Sequence, residues 1–196
     1  MSNLKRQIQK AKIAKTTKSI TSTFLEGVYF ALGVLGELHN QRYSVYSSIR
    51  KGVFSDWDDA KISKKMREMA RVGYIRINPE NNSIEFTDKA RLKIVDTLSE
   101  QSGSDGKNRF ISFDIPEKKR VQRDGFRRTI KRIGFRKIQK SLWVCDKNVG
   151  ELVEIAKREY DVDNYVIYIV SEKSDIDDYI KDKLEDVQNN SKTTLE

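Results

Sequence analysis

Residues 109–146 read RFISFDIPEKKRVQRDGFRRTIKRIGFRKIQKSLWVCD, and this stretch decides the fold. Phe110, Ile111 and Phe113 alternate as a short strand does, and Asp114-Ile115-Pro116 ends it, because proline cannot donate to a sheet ladder. A segment crowded with Arg and Lys follows, in which Phe126, Ile130 and Ile133 recur at helical spacing. A second extended piece ends in Gln139-Lys140-Ser141-Leu142-Trp143-Val144. One carboxylate, Asp114, thus stands at a strand end beside a strongly basic helix. That juxtaposition suits either metal-assisted phosphodiester chemistry or a scaffold that holds nucleic acid without cutting it.

Working outward, the second half predicts a strand over 109–114, a helix over 117–133, strands over 135–139 and 141–146, a helix over 148–160 and a strand over 164–172. The order βαββαβ is that of the ferredoxin-like arrangement. Val149, Leu152, Val153, Ala156 and Tyr160 give the second helix a face to lay on a sheet. In the first helix Arg120, Arg123, Arg127 and Lys131 fall on one stripe, away from Phe126 and Ile130. A cation stripe near phosphates releases counterions on binding; the alternative is a solvated face partly covered by acid. Residues 174–196 read as an acidic polar tail.

The first half has a different grammar. Residues 1–21 begin as a basic arm, with Lys5, Arg6, Lys10, Lys12, Lys15 and Lys18 and no acid before Ser19. Leu25, Val28, Tyr29, Leu32 and Leu35 predict a helix from Ser22 to His39, and a shorter one is expected over Tyr43–Arg50. Ser55-Asp56-Trp57-Asp58 has the form of a capping box opening a third helix to Val72, with Ile62, Met66 and Met69 inward and Gly73 at its end. YIRINPENNSIEFTD, residues 74–88, reads as a hairpin, with Thr87-Asp88 capping a helix over 89–98. Three helices, a hairpin and a closing helix spell a winged helix-turn-helix over 22–98. Ser99–Asn108 (SEQSGSDGKN) is polar and glycine-bearing and is expected to be a linker to a second domain over 109–173.

The net charge of +9 and pI near 9.5 favour a polyanionic partner, nucleic acid ahead of a membrane surface. One cysteine, Cys145, excludes an internal disulfide, and one histidine, His39, excludes a histidine-based zinc site or triad. Cys145 reads as a packed thiol, and Trp57 and Trp143 as core residues more than base-stacking platforms. The longest apolar stretch, Phe24–Leu35, is too short and too interrupted to span a bilayer, so a cytoplasmic location is expected and no membrane partner.

Phe113-Asp114-Ile115-Pro116, the basic helix, Gly134 and Gln139–Val144 resemble the small CRISPR-associated adaptation nucleases (Cas-two) and, equally, the central domain of PaaX-type transcriptional regulators. The winged-helix half in front points to the PaaX type, although such proteins usually continue into a third domain, for which the sequence leaves too little. The resemblance implies a repressor-like, homodimeric regulator of double-stranded DNA that needs no cofactor. In the first domain Lys61, Ser63, Lys64, Lys65 and Arg67 would face the major groove, with Arg76, Asn78, Asn81 and Asn82 offered by the wing. The alternative it implies is an endonuclease in which Asp114 holds Mg²⁺ or Mn²⁺ with its copy across a dimer axis. From the residues alone, Asp114 is equally a cap for the helix behind Pro116 or the partner of a nearby Arg.

Overall fold

The computed structural model describes residues 19–35, 42–52, 54–81, 83–182 and 184. The chain is α+β and divides into two compact units, Met1–Ile94 and Val95–Glu196.

In the first unit, helices α1 (Ile20–Leu35), α2 (Arg42–Lys51) and α3 (Asp59–Val72) precede a two-stranded antiparallel hairpin, β1 (Ile75–Ile77) and β2 (Ile84–Phe86), and a short helix α4 (Asp88–Lys93). The core is the apolar stripe of each element. Phe24, Leu25 and Val28 of α1, Val45 and Ile49 of α2, and Ile62, Met66 and Met69 of α3 are buried with Ile75 and Ile84. Phe24, Phe54 and Trp57 form an aromatic cluster with centroids 4.5–5.9 Å apart, which accounts for Trp57 as packing.

Local chemistry sets the ends of α3. Its N-cap is Asp58, whose carboxylate accepts from the Lys61 N–H at 2.7 Å, in place of the Ser55 expected from the capping-box pattern. An aspartate one residue before the helix satisfies the same orphan donor, and its charge favours the N-terminus. Gly73 ends the helix at φ 83°, a left-handed conformation that costs glycine no side-chain clash. Thr87 caps α4 as expected, accepting from the Ala90 N–H.

The predicted helix over 89–98 is two helices. It breaks at Ile94, and α5 (Val95–Gln101) belongs to the second unit. This corrects the expected linker at 99–108. Val95, Thr97, Leu98 and Ser99 are buried, the Ser99 hydroxyl donates to the Ile133 carbonyl, and Asp96 pairs with Arg132 at 2.7 Å. Ser104–Asn108 is the first half of strand β3 (Ser104–Phe113). Its polar sequence hid a strand because its pairing with the neighbour is irregular between Ser104 and Arg109.

The second unit continues with a 3₁₀ turn (Glu117–Lys119), α6 (Arg120–Ile133), β4 (Arg136–Lys137), β5 (Leu142–Lys147), α7 (Gly150–Glu159) and β6 (Val166–Ser171). The four strands form one antiparallel sheet in the order β4-β5-β3-β6. The predicted 117–133 helix is thus a 3₁₀ turn followed by an α-helix, since Pro116 fixes the entry and leaves the turn without a side-chain cap.

Phe126, Ile130 and Ile133 of α6 and Leu152, Val153 and Ala156 of α7 are buried, and Phe126 meets Phe113 of the sheet edge-on at 5.6 Å. Trp143 stacks on Phe113 at 6.5 Å, also a packing role. On another patch of the sheet, Phe110 and Val144 bury Ile180 from helical residues 177–182, so this part of the expected tail is packed. The basic arm before Ser19 and His39 lie outside the described residues.

Candidate nucleic-acid interface

On α3 the buried line Ile62–Met66–Met69 fixes which side chains face out. Residues at i, i+3 and i+7 on the opposite side are Lys64, Arg67 and Arg71, all exposed. Lys64 and Arg67 were expected there. Arg71 was not, although its spacing from Lys64 places it on the same line. Ser63 is half-buried at the flank. Lys61 is exposed but lies over the Trp57 ring, 4.9 Å from its centroid. Lys65 is turned inward: its ammonium donates to Glu68 at 2.9 Å and to the Thr21 hydroxyl at 3.3 Å, and its side chain is 13% exposed. Of the four expected cations on this helix, Lys64 and Arg67 are thus the two that point straight outward.

The hairpin uses several of its expected contact residues to hold itself. Asn78 accepts from the Glu80 N–H at 2.8 Å, and Asn81 from the Ser83 N–H at 2.9 Å. Both are Asx turns that shape the loop and leave each amide NH₂ available. Arg76 and Glu85 face each other across the strands at 3.5 Å, both solvent-exposed. Asn82 lies outside the described residues.

The stripe expected on α6 divides. Arg123 bends back to the strand end, donating to the Ile115 carbonyl at 3.2 Å and to Glu117 at 2.8 Å. Its charge holds the Glu117 carboxyl below the usual range. Arg127 lies over the Phe113 ring at 5.4 Å. Arg120 is exposed but stands 3.9 Å from both Glu117 and Asp124. Lys131 is exposed, and so is Arg128, which the sequence reading did not select. Charge on this helix is therefore partly neutralised by its own acids. The helical wheel alone did not reveal this, because Glu117 sits in the preceding turn and reaches back.

Asp114 follows β3 directly, and its backbone N–H donates to the Tyr165 carbonyl at 3.0 Å. Its side chain is exposed. Among the described residues its carboxylate neither caps the turn behind Pro116 nor pairs with an arginine. Arg123, the nearest candidate in sequence, is taken by Glu117. No group of three or more His, Cys, Asp or Glu side chains comes together among the described residues.

A charged pair that the sequence did not advertise joins the segment expected to be linker to the strand expected after it. Arg109 is buried in β3, its guanidinium bonded bidentately to Asp105 and donating to the Lys107 carbonyl at 2.7 Å. Fork-to-carboxylate geometry of this kind is strong for its size. It lowers the Asp105 pKa from 3.8 to about 2. Cys145 is fully buried, and burial pushes its thiol pKa up, which suits a packed thiol and not a nucleophile. A cleft of about 350 Å³ near residues 104–108 is lined by groups already cross-linked, Lys107 to Glu172 at 2.7 Å and Asn108 to Asp177 at 3.2 Å.

The α+β unit beginning at α5, with its antiparallel sheet and two covering helices, matches a known domain. Residues 101–182 match the family described as PaaX protein central Cas2-like domain. The match starts before β3 and runs through helical residues 177–182, as the packing does. No curated protein and no solved structure matches the chain. No described helix is long and apolar enough to cross a membrane.

Proposed function

We propose that this chain is a cytoplasmic, DNA-binding transcriptional regulator of the PaaX type, repressor-like and acting as a homodimer. The first unit serves as a winged helix-turn-helix and the second as a ferredoxin-like domain. What supports the second assignment is the PaaX-type family match together with the strand order β4-β5-β3-β6, which is the ferredoxin order when strands are numbered within the unit. What supports the first is the succession of three helices and a hairpin.

The observation that carries the DNA reading is the exposed line Lys64, Arg67, Arg71 on the face of α3 opposite its buried stripe. On a winged helix that face enters the major groove, where arginine can fork onto guanine and lysine reaches phosphate. Asn78, Asn81 and Arg76 then lie on the wing for backbone contacts. The basic helix α6 contributes Arg120 and Lys131, with Arg128, as a secondary electropositive surface, weakened by Glu117 and Asp124. The reading needs no cofactor. Asp114 gains no support as a catalyst from its surroundings.

The test is fluorescence anisotropy with the promoter duplex upstream of the protein's own reading frame and with a random duplex of equal length. Replacing Lys64, Arg67 and Arg71 with alanine is expected to lower promoter affinity at least tenfold and to flatten the salt dependence by roughly one unit of slope per lost phosphate contact. Unchanged affinity and slope would refute the assignment of α3. Equal affinity for the two duplexes would reduce the protein to a scaffold without sequence preference. In the same reactions, Mg²⁺- or Mn²⁺-dependent cleavage abolished by Asp114→Asn would replace the regulator reading with the nuclease one.

A further inference from the structure

Residues 125–145, GFRRTIKRIGFRKIQKSLWVC, hold seven Arg or Lys and no Asp or Glu. They run from the middle of α6 through β4 and its turn into β5, so the fold decides whether those cations scatter or gather. Arg132 is paired with Asp96, and Arg136 is half-buried with its guanidinium on the Phe135 carbonyl at 3.5 Å. Arg127 lies over the Phe113 ring and 4.0 Å from Asp124. Arg128, Lys131, Lys137 and Lys140 are exposed, and none of them has an ion pair among the described residues.

Strand pairing places Lys137 on the helix-covered face of the sheet. It stands opposite Trp143, and Trp143 stands opposite Ile111; residues so opposed share a face. Phe113, two residues on from Ile111, shares it too and meets Phe126 of α6. The flank of α6 bearing Gly125 and Thr129 looks to Tyr160 at the end of α7, and α7 begins against Tyr168 of β6. The flank away from α7 carries Arg127 and Lys131 one turn apart, and it therefore looks toward β4 at the other end of the strand order. Along the helix, Phe126 is level with Phe113, and Gly134 lies by Cys145, the partner of Arg109. Ile111, and with it Lys137, falls between those levels, alongside Lys131. The turn after β4 carries Lys140, and its Ser141 carbonyl accepts from the Phe113 N–H at 3.2 Å, which brings that turn to the Phe126 end of the same flank.

Resting on the DNA-binding reading above, we propose that Lys131, Lys137 and Lys140 form a rim on the second unit that holds the phosphate backbone of duplex DNA without reading its sequence. Lysine presents a compact charge and lacks the fork with which arginine reads guanine. From Lys137 to Lys140 the chain spans about 10 Å, and a phosphate recurs along one strand every 3.4 Å or so of the DNA axis, so the rim meets about three of them. Residues 125–145 expose no large hydrophobic side chain. The rim thus lacks the apolar anchor by which a helix settles on an anionic membrane surface.

The rim adds a sequence-independent term to the affinity that α3 makes specific. Each phosphate neutralised releases counterions and contributes about 0.9 to the slope of log affinity against log salt. The first turns of α6 contribute less, because Glu117 and Asp124 stand beside Arg120.

Anisotropy with the full-length protein, the promoter duplex and the random duplex over a salt series tests the proposal. The rim variant Lys131→Gln/Lys137→Gln is expected to weaken binding to both duplexes about tenfold, to leave their affinity ratio unchanged and to lower each slope by about 2. Lys131→Arg/Lys137→Arg should keep the wild-type slope. Lys173→Gln/Lys181→Gln removes the same charge after β6 and is expected to change little. A rim variant that binds no more weakly than this control overturns the rim and leaves the α3 reading standing. A loss confined to the promoter duplex overturns the sequence-independent role. Tighter wild-type binding to a single-stranded RNA of equal length, lost in the rim variant, overturns the DNA assignment in favour of RNA. An unaffected Lys64, Arg67 and Arg71 variant beside a weakened rim variant overturns the α3 reading and supports the rim.

Discussion

Replacing Gly125 with alanine separates the two levels of argument in this protein. Gly125 lies inside α6, where helix propensity alone predicts a gain of about 1 kcal/mol for alanine over glycine. The tertiary structure predicts the opposite. A Cβ built there would stand 2.3 Å and 2.7 Å from two ring carbons of Tyr160, at the end of α7. The ring has little freedom to retreat, because its hydroxyl is bonded to Thr129 at 2.9 Å on the next turn of α6. Forcing α6 and α7 apart or turning the ring costs about 1–3 kcal/mol, and losing the hydroxyl bond adds about 1 kcal/mol. After the propensity gain is subtracted, a net loss of about 1–3 kcal/mol remains. For a domain of this size that lowers the melting midpoint by roughly 4–24 °C. Urea unfolding followed by circular dichroism gives the free energy, provided the slope is unchanged. The decisive control is the double substitution: with Tyr160→Ala in place, Gly125→Ala should turn neutral or stabilising. A single Gly125→Ala protein as stable as the wild type would refute the close approach of the two helices.

Three further outcomes are expected. Asp58→Ala removes the N-cap of α3 and should cost about 1 kcal/mol in the first unit, read by denaturant midpoint; Ser55→Ala should cost nothing measurable. Asp105 has its pKa lowered from 3.8 to about 2, so its contribution is complete above about pH 4 and is lost as pH falls through 2. The stability gap between wild type and Asp105→Asn should therefore be constant above pH 5 and shrink toward pH 2; a gap that does not narrow would show that Arg109 is not its partner. Cys145, fully buried with its thiol pKa raised, should resist a thiol-directed disulfide reagent in the folded protein and react once denaturant is added.

Much of the secondary structure was written locally. The stripe Ile62, Met66, Met69, the left-handed Gly73 and the Thr87 cap needed only periodicity and end chemistry, and each lies where those rules place it. The expected linker at 99–108 failed for a reason sequence cannot express. Ser99 reads as a polar loop residue, yet α5 buries it against the end of α6, and Ser104–Asn108 gains its strand from a neighbour's backbone. Ser55 lost the cap to Asp58 because two capping-competent residues three positions apart are indistinguishable without the dihedral angles.

The candidate interface shows the same division. A helical wheel identifies Lys64 and Arg67 as outward, and it identifies Arg71 as well once the buried line is fixed. It cannot see that Lys65 reaches back to Thr21, forty-four positions earlier, or that Arg123 and Arg127 turn to the sheet end and leave Arg120 between two acids. The sequence by itself determined the elements, the net positive charge and the apolar stripes, because these depend on spacing along one segment. Only the tertiary structure decided which cations remain available and where the two units divide. Those are properties of pairs brought together from distant parts of the chain, and no local pattern encodes the partner.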